Sequence, residues 1–168
     1  MNAPFEPSRR RFLKTAGAIT VGFSWSVPGV LAQQAARPSL PGSLNTNRQL
    51  DGWIRINANG NVTIFTGKCE LGQGILTALA QIASDELDVA YERIEMVSAD
   101  TARTPNEGVT AGSQSVENSG TALRYACAEA RQILLGLAAA KLGTTPDRLT
   151  ISDGTISGGG GKATYAEL

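Results

Sequence analysis

The chain has 168 residues, 42% of them apolar and 18% charged, which suits one modest globular domain with its own core and excludes disorder throughout. Its formal charge is zero, yet Arg9, Arg10, Arg11 and Lys14 cluster before residue 15. Beyond Ala32, eleven basic residues face fourteen acidic ones, a net of −3 that argues against nucleic acid as a partner.

In chain order, residues 1–32 read as an export signal. A basic cluster leads into an apolar run from Ala16 to Val27, too short to cross a bilayer comfortably, and then into a small-residue exit at Val30-Leu31-Ala32. Ser8-Arg9-Arg10-Arg11-Phe12-Leu13-Lys14 fits the twin-arginine pattern S-R-R-x-F-L-K at every specified position. The expectation is a periplasmic protein exported already folded around a cofactor, with no stable membrane span. The structural alternative is a basic amphipathic helix of the mature protein. Residues 33–50, rich in Pro, Ser, Gln and Asn without periodicity, read as a linker.

The folded part begins with two alternating runs, Trp53 to Asn57 and Val62 to Phe65, joined through Asn59-Gly60, a strong hairpin signal. After Gly74, the residues Leu76, Leu79, Ile82, Ala83 and Leu87 recur at helical spacing. Arg93 to Ser98 alternates as a short strand, and the polar stretch after it reads as a long loop. A second helix, starting near Val116, shows Val116, Leu123, Ala130 and Leu137 at sevenfold spacing, with Gly120, Cys127 and Leu134 on the same face for close packing. Leu149 to Ser157 then forms a hairpin about Asp153-Gly154. The order hairpin, helix, strand, helix, hairpin predicts an α+β fold. Gly158 to Gly161 reads as a flexible glycine run before a single helical turn, Thr164 to Leu168. A turn that short needs packing partners, so the expectation here is a truncated domain, or more blandly a frayed tail.

Two glycine motifs fail. Gly161-Lys162 is followed by Ala163, and Ile156 stands where a P-loop needs its first glycine. Gly72-Gln73-Gly74 is followed three places on by Thr77 where the dinucleotide fingerprint requires glycine. There remains a pair of loops, each opening a helix. Gly72-Gln73-Gly74 precedes one, and Thr110-Ala111-Gly112-Ser113-Gln114-Ser115 precedes the other. Both offer backbone N–H groups to an anionic or heterocyclic ligand, and Gln73 can donate and accept at once. The plainer reading makes the glycines turn residues and Ser113 or Ser115 an N-cap.

"GKCELGQGILTALAQIASDELDVAYERIEMVSADT" with "TPNEGVTAGSQSVENSGTALRYACAEARQILL" resembles the molybdopterin-binding region of the xanthine oxidase family. The likeness is to the large subunit of the periplasmic isoquinoline 1-oxidoreductase and aldehyde dehydrogenase types, and it runs from Trp53 to Leu168. It implies a molybdopterin cofactor, in the cytosine dinucleotide form, held by Leu71, Gly72, Gln73, Gly74, Gly112 and Ser113. It also implies hydroxylation of an aldehyde or N-heterocycle with water-derived oxygen, a small partner subunit carrying [2Fe–2S] clusters, and a c-type cytochrome as electron acceptor. Residues 51–168 would then be part of a molybdopterin-binding domain. The family's catalytic glutamate and its other glycine motif have no counterpart in the match, so Glu70, Glu107 and Glu117 are expected to be solvated or local hydrogen-bonding groups and the chain alone inactive. A different class of function is an exported, non-catalytic binding or assembly module.

The chain has two cysteines and no histidine. Two are too few for an iron–sulfur cluster, and without histidine zinc sites and Ser-His-Asp chemistry are excluded. Cys127 reads as a buried small hydrophobe, Cys69 carries no sign of a nucleophile, and spacing does not support a disulfide between them.

Overall fold

In the computed structural model, which describes residues 39–168, the Asn-Gly pair does what its chemistry allows: Gly60 takes φ +86°, its N–H donates to the Asn57 carbonyl at 2.9 Å, and the chain reverses. The twin-arginine segment and residues 33–38 lie outside the described residues. The reversal joins β1 (Ile54–Ile56) to β2 (Val62–Thr66) antiparallel, with Ile54 opposite Ile64. Helix α1 (Ile75–Leu87) then carries the chain across to β3 (Ile94–Ser98), which pairs parallel with β2 from Val62–Ile94 to Thr66–Ser98. Strand order is β1-β2-β3. As the central strand β2 is buried at all five positions, the pattern expected of a strand covered on both faces.

Helix α2 (Thr121–Leu142) packs against α1, preceded by a π-helical turn, Ser115–Gly120. At the close approach between them a Cβ on Gly120 would stand 3.1 Å from Ile82 Cδ1, so Ile82 would have to give by a few tenths of an ångström to admit one. The sevenfold stripe predicted for this helix holds only in part. Leu123, Cys127 and Leu134 are buried, but Val116 and Leu137 are exposed, Leu137 by 46%. A straight α-helix drifts about 20° per heptad, so a residue two heptads beyond Leu123 has rotated about 40° off the buried face. Val116 lies inside the wider π-turn, ahead of the α-helical phase. Ala122, Ala126, Ala138 and Ala139 complete the buried face instead.

A second sheet comes next, β4 (Thr150–Ser152), β5 (Thr155–Gly158) and β6 (Gly161–Thr164), all antiparallel. Asp153 and Gly154 both have positive φ, the geometry of the tight hairpin turn that Asp-Gly favours. The glycine run expected to be flexible is a second hairpin turn, with Gly158 paired to Gly161 and Gly159 and Gly160 in the left-handed region. The last turn, Tyr165–Glu167, is closed by a capping box between Thr164 and Glu167, and buried Tyr165 donates its hydroxyl to the Leu87 carbonyl at 2.7 Å. That packing stabilises a turn too short to stand alone. Part of the expected linker is likewise structured: Gly42–Asn45 and Leu50–Gly52 form 3-10 turns, and Leu44 joins the core. The fold is α+β. Among the described residues no helix is long and apolar enough to cross a membrane.

Candidate functional site

Between β2 and α1 the chain passes through residues 67–74, and between β3 and the π-turn it passes through residues 99–114. Both segments emerge on the same side because β2 and β3 are parallel, so their C-terminal ends coincide. Leu71, Gln73 and Gly74 from the first segment and Gly112 and Ser113 from the second line a single cleft of about 350 Å³. Ile75, Ala78 and Val116 supply its apolar wall, and Thr110, Ala111 and Ser115 the rest. Gly72, the sixth expected residue, stands in the same loop at φ +91° with open space where a side chain would be. The rim is greasy: Leu71 is 76% exposed.

The two loops differ in their free hydrogen-bonding groups. In the first, the Glu70 carboxylate folds back onto the start of α1, accepting from the N–H groups of Gly72 at 2.8 Å, Gly74 at 2.9 Å and Leu76 at 3.1 Å. Those amides, with Gly74 contributing most, hold the carboxyl below the ordinary glutamate range. The expectation of free N–H groups for an anion therefore fails at this loop: the chain's own carboxylate fills the place. Gln73 is also engaged, its Oε1 accepting from the Leu71 N–H at 2.5 Å and its Nε2 donating to the Cys69 carbonyl at 2.8 Å. In the second loop, the N–H groups of Gly112 and Ser113 have no acceptor among the described residues. Ser113 is held at φ +64°, a conformation that costs a non-glycine residue about 1–2 kcal/mol. No side-chain cap closes the π-turn, so Ser113 and Ser115 do not act as N-caps there.

The glutamates take local roles. Glu70 serves its loop, Glu107 accepts from Thr66 Oγ1 and the Gly67 N–H, and Glu117 is exposed. Both cysteines are free; Cys127 is buried, and that burial pushes its thiol well up. Among the described residues no group of three His, Cys, Asp or Glu could hold a metal ion. The cleft sets an apolar wall beside the free N–H groups of the second loop, which suits a ligand with a flat apolar face and a polar edge. Sequence reasoning missed Lys68, whose side chain is buried behind the first loop, because a lysine between Gly67 and Cys69 reads as surface.

The chain matches the family described as "Molybdopterin cofactor-binding domain" over residues 11–168. It is 37% identical over 163 residues to a nicotinate dehydrogenase subunit of Pseudomonas putida, covering 96% of this chain and 13% of that one. It is 32% identical over 171 residues to the beta subunit of isoquinoline 1-oxidoreductase from Brevundimonas diminuta, covering 96% and 21%. Among solved structures, the Cu,Mo-CO dehydrogenase in its carbon monoxide reduced state is similar at TM-score 0.60 and 27% identity, over 68% of this chain and 15% of that one. The chain thus spans between about an eighth and a fifth of the length of the curated relatives it matches.

Proposed function

The chain belongs to the molybdopterin cofactor-binding domain family, and from that premise we propose that it forms one wall of the cofactor cradle in a molybdenum-dependent oxidoreductase. The observation that carries this reading is the convergence of two loops about forty residues apart in sequence on one cleft. When bound, the cofactor would supply oxidation of an aldehyde or N-heterocycle with oxygen taken from water. The chain's own residues position it. The unpaired N–H groups of Gly112 and Ser113 receive its polar edge, while Leu71, Ile75 and Val116 exclude water from its face. Gln73 turns its amide from its own loop to the ligand, or fixes that loop's shape so that the main chain makes the contact. With the Glu70 carboxylate already on the α1 amides, phosphate groups of the cofactor fall nearer the second loop.

The finer assignments continue the same reading. We assign the cytosine dinucleotide form of the cofactor. Electrons leave through a small partner subunit with [2Fe–2S] clusters toward a c-type cytochrome, since a buried and a half-buried cysteine cannot hold a cluster here. The names of the relatives, one a nicotinate and one an isoquinoline enzyme, support an N-heterocyclic substrate. Residues 8–14 support twin-arginine export to the periplasm. No residue of the chain is assigned as the catalytic base.

The test is cofactor content in the assembled enzyme, purified from a host that makes the cofactor. Gln73→Ala and Gly112→Val are expected to lower molybdenum and pterin together while the helical circular dichroism is kept. Gly112→Val places a β-branched residue at φ +60°, where only glycine is comfortable. Full occupancy in both variants would refute the placement.

A further inference from the structure

Lys68 stands three residues before the cleft and is 1% exposed. Burying a polar group is costly unless it is hydrogen-bonded, and the Lys68 Nζ donates to the carbonyls of Glu107 and Val109, each at 2.8 Å. Both acceptors lie in the segment that runs into Gly112 and Ser113. By drawing two carbonyls to one point, the ammonium forces a bend between them, and Gly108 takes φ +69° there. The return contacts come from the other side. Glu107 Oε2 accepts from Thr66 Oγ1 at 2.6 Å and from the Gly67 N–H at 2.8 Å, while the Cys69 N–H donates to Thr110 Oγ1 at 2.9 Å. Gly67 can carry no side chain, since a Cβ would lie 2.4 Å from the Pro105 carbonyl oxygen. The two charges each bind the main chain of the opposite segment, and among the described residues they form no ion pair with one another. Glu107 Oε1 is buried without a partner.

We propose that Lys68 and Glu107 are positioning residues that set the separation and orientation of the two cleft loops, so that the cofactor finds its contacts already in place. The proposal rests on the function inferred above, but its first measurement needs no cofactor. In the apo chain, exchange of the Cys69 amide reports the spacing of the loops at a point touched by neither the Lys68 ammonium nor the Glu107 carboxylate. Lys68→Met, similar in length but unable to donate, is expected to speed that exchange about tenfold with the Ile64 amide of β2 unchanged. Thr66→Val, which removes the hydroxyl that donates to Glu107 Oε2 and accepts from the Lys68 N–H at 3.2 Å, is expected to speed it less. Glu107→Gln keeps an oxygen to accept from Thr66 Oγ1 and the Gly67 N–H but puts an NH2 donor at the buried unpartnered position, and should speed the exchange less than Lys68→Met does.

In the assembled enzyme, Lys68→Met is expected to retain less than about a tenth of the molybdenum and to broaden the Mo(V) electron paramagnetic resonance signal of the remainder, with Glu107→Gln losing less. Faster exchange with full occupancy and an unchanged signal would overturn the proposal, leaving a brace of the fold alone. Unchanged exchange in Lys68→Met would overturn it outright, and if that variant does not fold, Thr66→Val decides by the same readouts. A wild type without molybdenum would sink the cofactor reading instead, and exchange alone would then decide whether the brace sets the loops.

Discussion

Glu70 behaves as a ligand that the chain carries with it. Three amides at the start of α1 point at its carboxylate, so its folded pKa is depressed and its contribution to the loop is fully present above the unfolded value of about 4.3. That contribution is lost as pH falls through the lower, folded value. The amide shifts of Gly72 and Gly74 should therefore titrate with a midpoint below that of a free glutamate, and Glu70→Gln should abolish the titration. A midpoint at or above the free value would remove Glu70 from its capping role. Asp153, held down first by the Ala90 N–H and then by Arg93, and Glu167, held down by Thr164, keep some acid dependence in that variant. The glycine loops were legible in the sequence because glycine spacing is a local signal. The fate of the Glu70, Gln73 and Lys68 side chains was not. Each depends on torsions and, for Lys68, on carbonyls about forty residues away that leave no mark in composition.

At the level of elements, the hairpins and both helices could be read from turn residues and apolar spacing, and the misreadings have physical causes. Glycines from Gly158 to Gly161 suggested freedom, yet the ladder from β5 to β6 converts that freedom into a tight turn. The repeat along α2 followed seven residues where the helix turns every 3.6. Strand β6 delivers Tyr165 to the end of α1, where its hydroxyl bonds the Leu87 carbonyl in a buried setting. Tyr165→Phe leaves that carbonyl without its donor and should cost about 1–2 kcal/mol, lowering the melting temperature by a few degrees. Burial pushes the Tyr165 phenol up to about 12. The folded chain thus keeps a proton that the unfolded chain releases near about 10, and stability should be full below that value and fall as pH rises above it. The phenylalanine variant should lack this component of the alkaline loss in thermal melts followed from about pH 9 to 11, the range that brackets the unfolded value. An identical alkaline slope in both proteins would contradict the assignment.

For the molecule as a whole, the cleft proposed for the cofactor is open with an exposed apolar rim, so it would offer a large polar cofactor only part of the contacts it needs. Residues 33–168 expressed in a cofactor-making host should carry far less than one molybdenum per chain and reduce no dye with an aldehyde or an N-heterocycle. Stoichiometric metal with steady turnover would overturn that expectation. The second sheet is attached to the first by bonds that span great lengths of chain. Arg93 reaches the Asp153 carboxylate at 2.8 Å and also the Gly60 carbonyl, Gly154 donates to the Asp88 carbonyl at 2.7 Å, and Tyr165 reaches Leu87 across 78 positions. Closing such loops costs entropy before any bond repays it, whereas β2, α1 and β3 meet within residues 62–98. Assembly in time should therefore track the chain's order, with the cleft-forming half condensing first and the β4–β6 sheet docking late. A nascent chain would have the two cleft loops shaped before the strands that finally lock α1 in place have arrived.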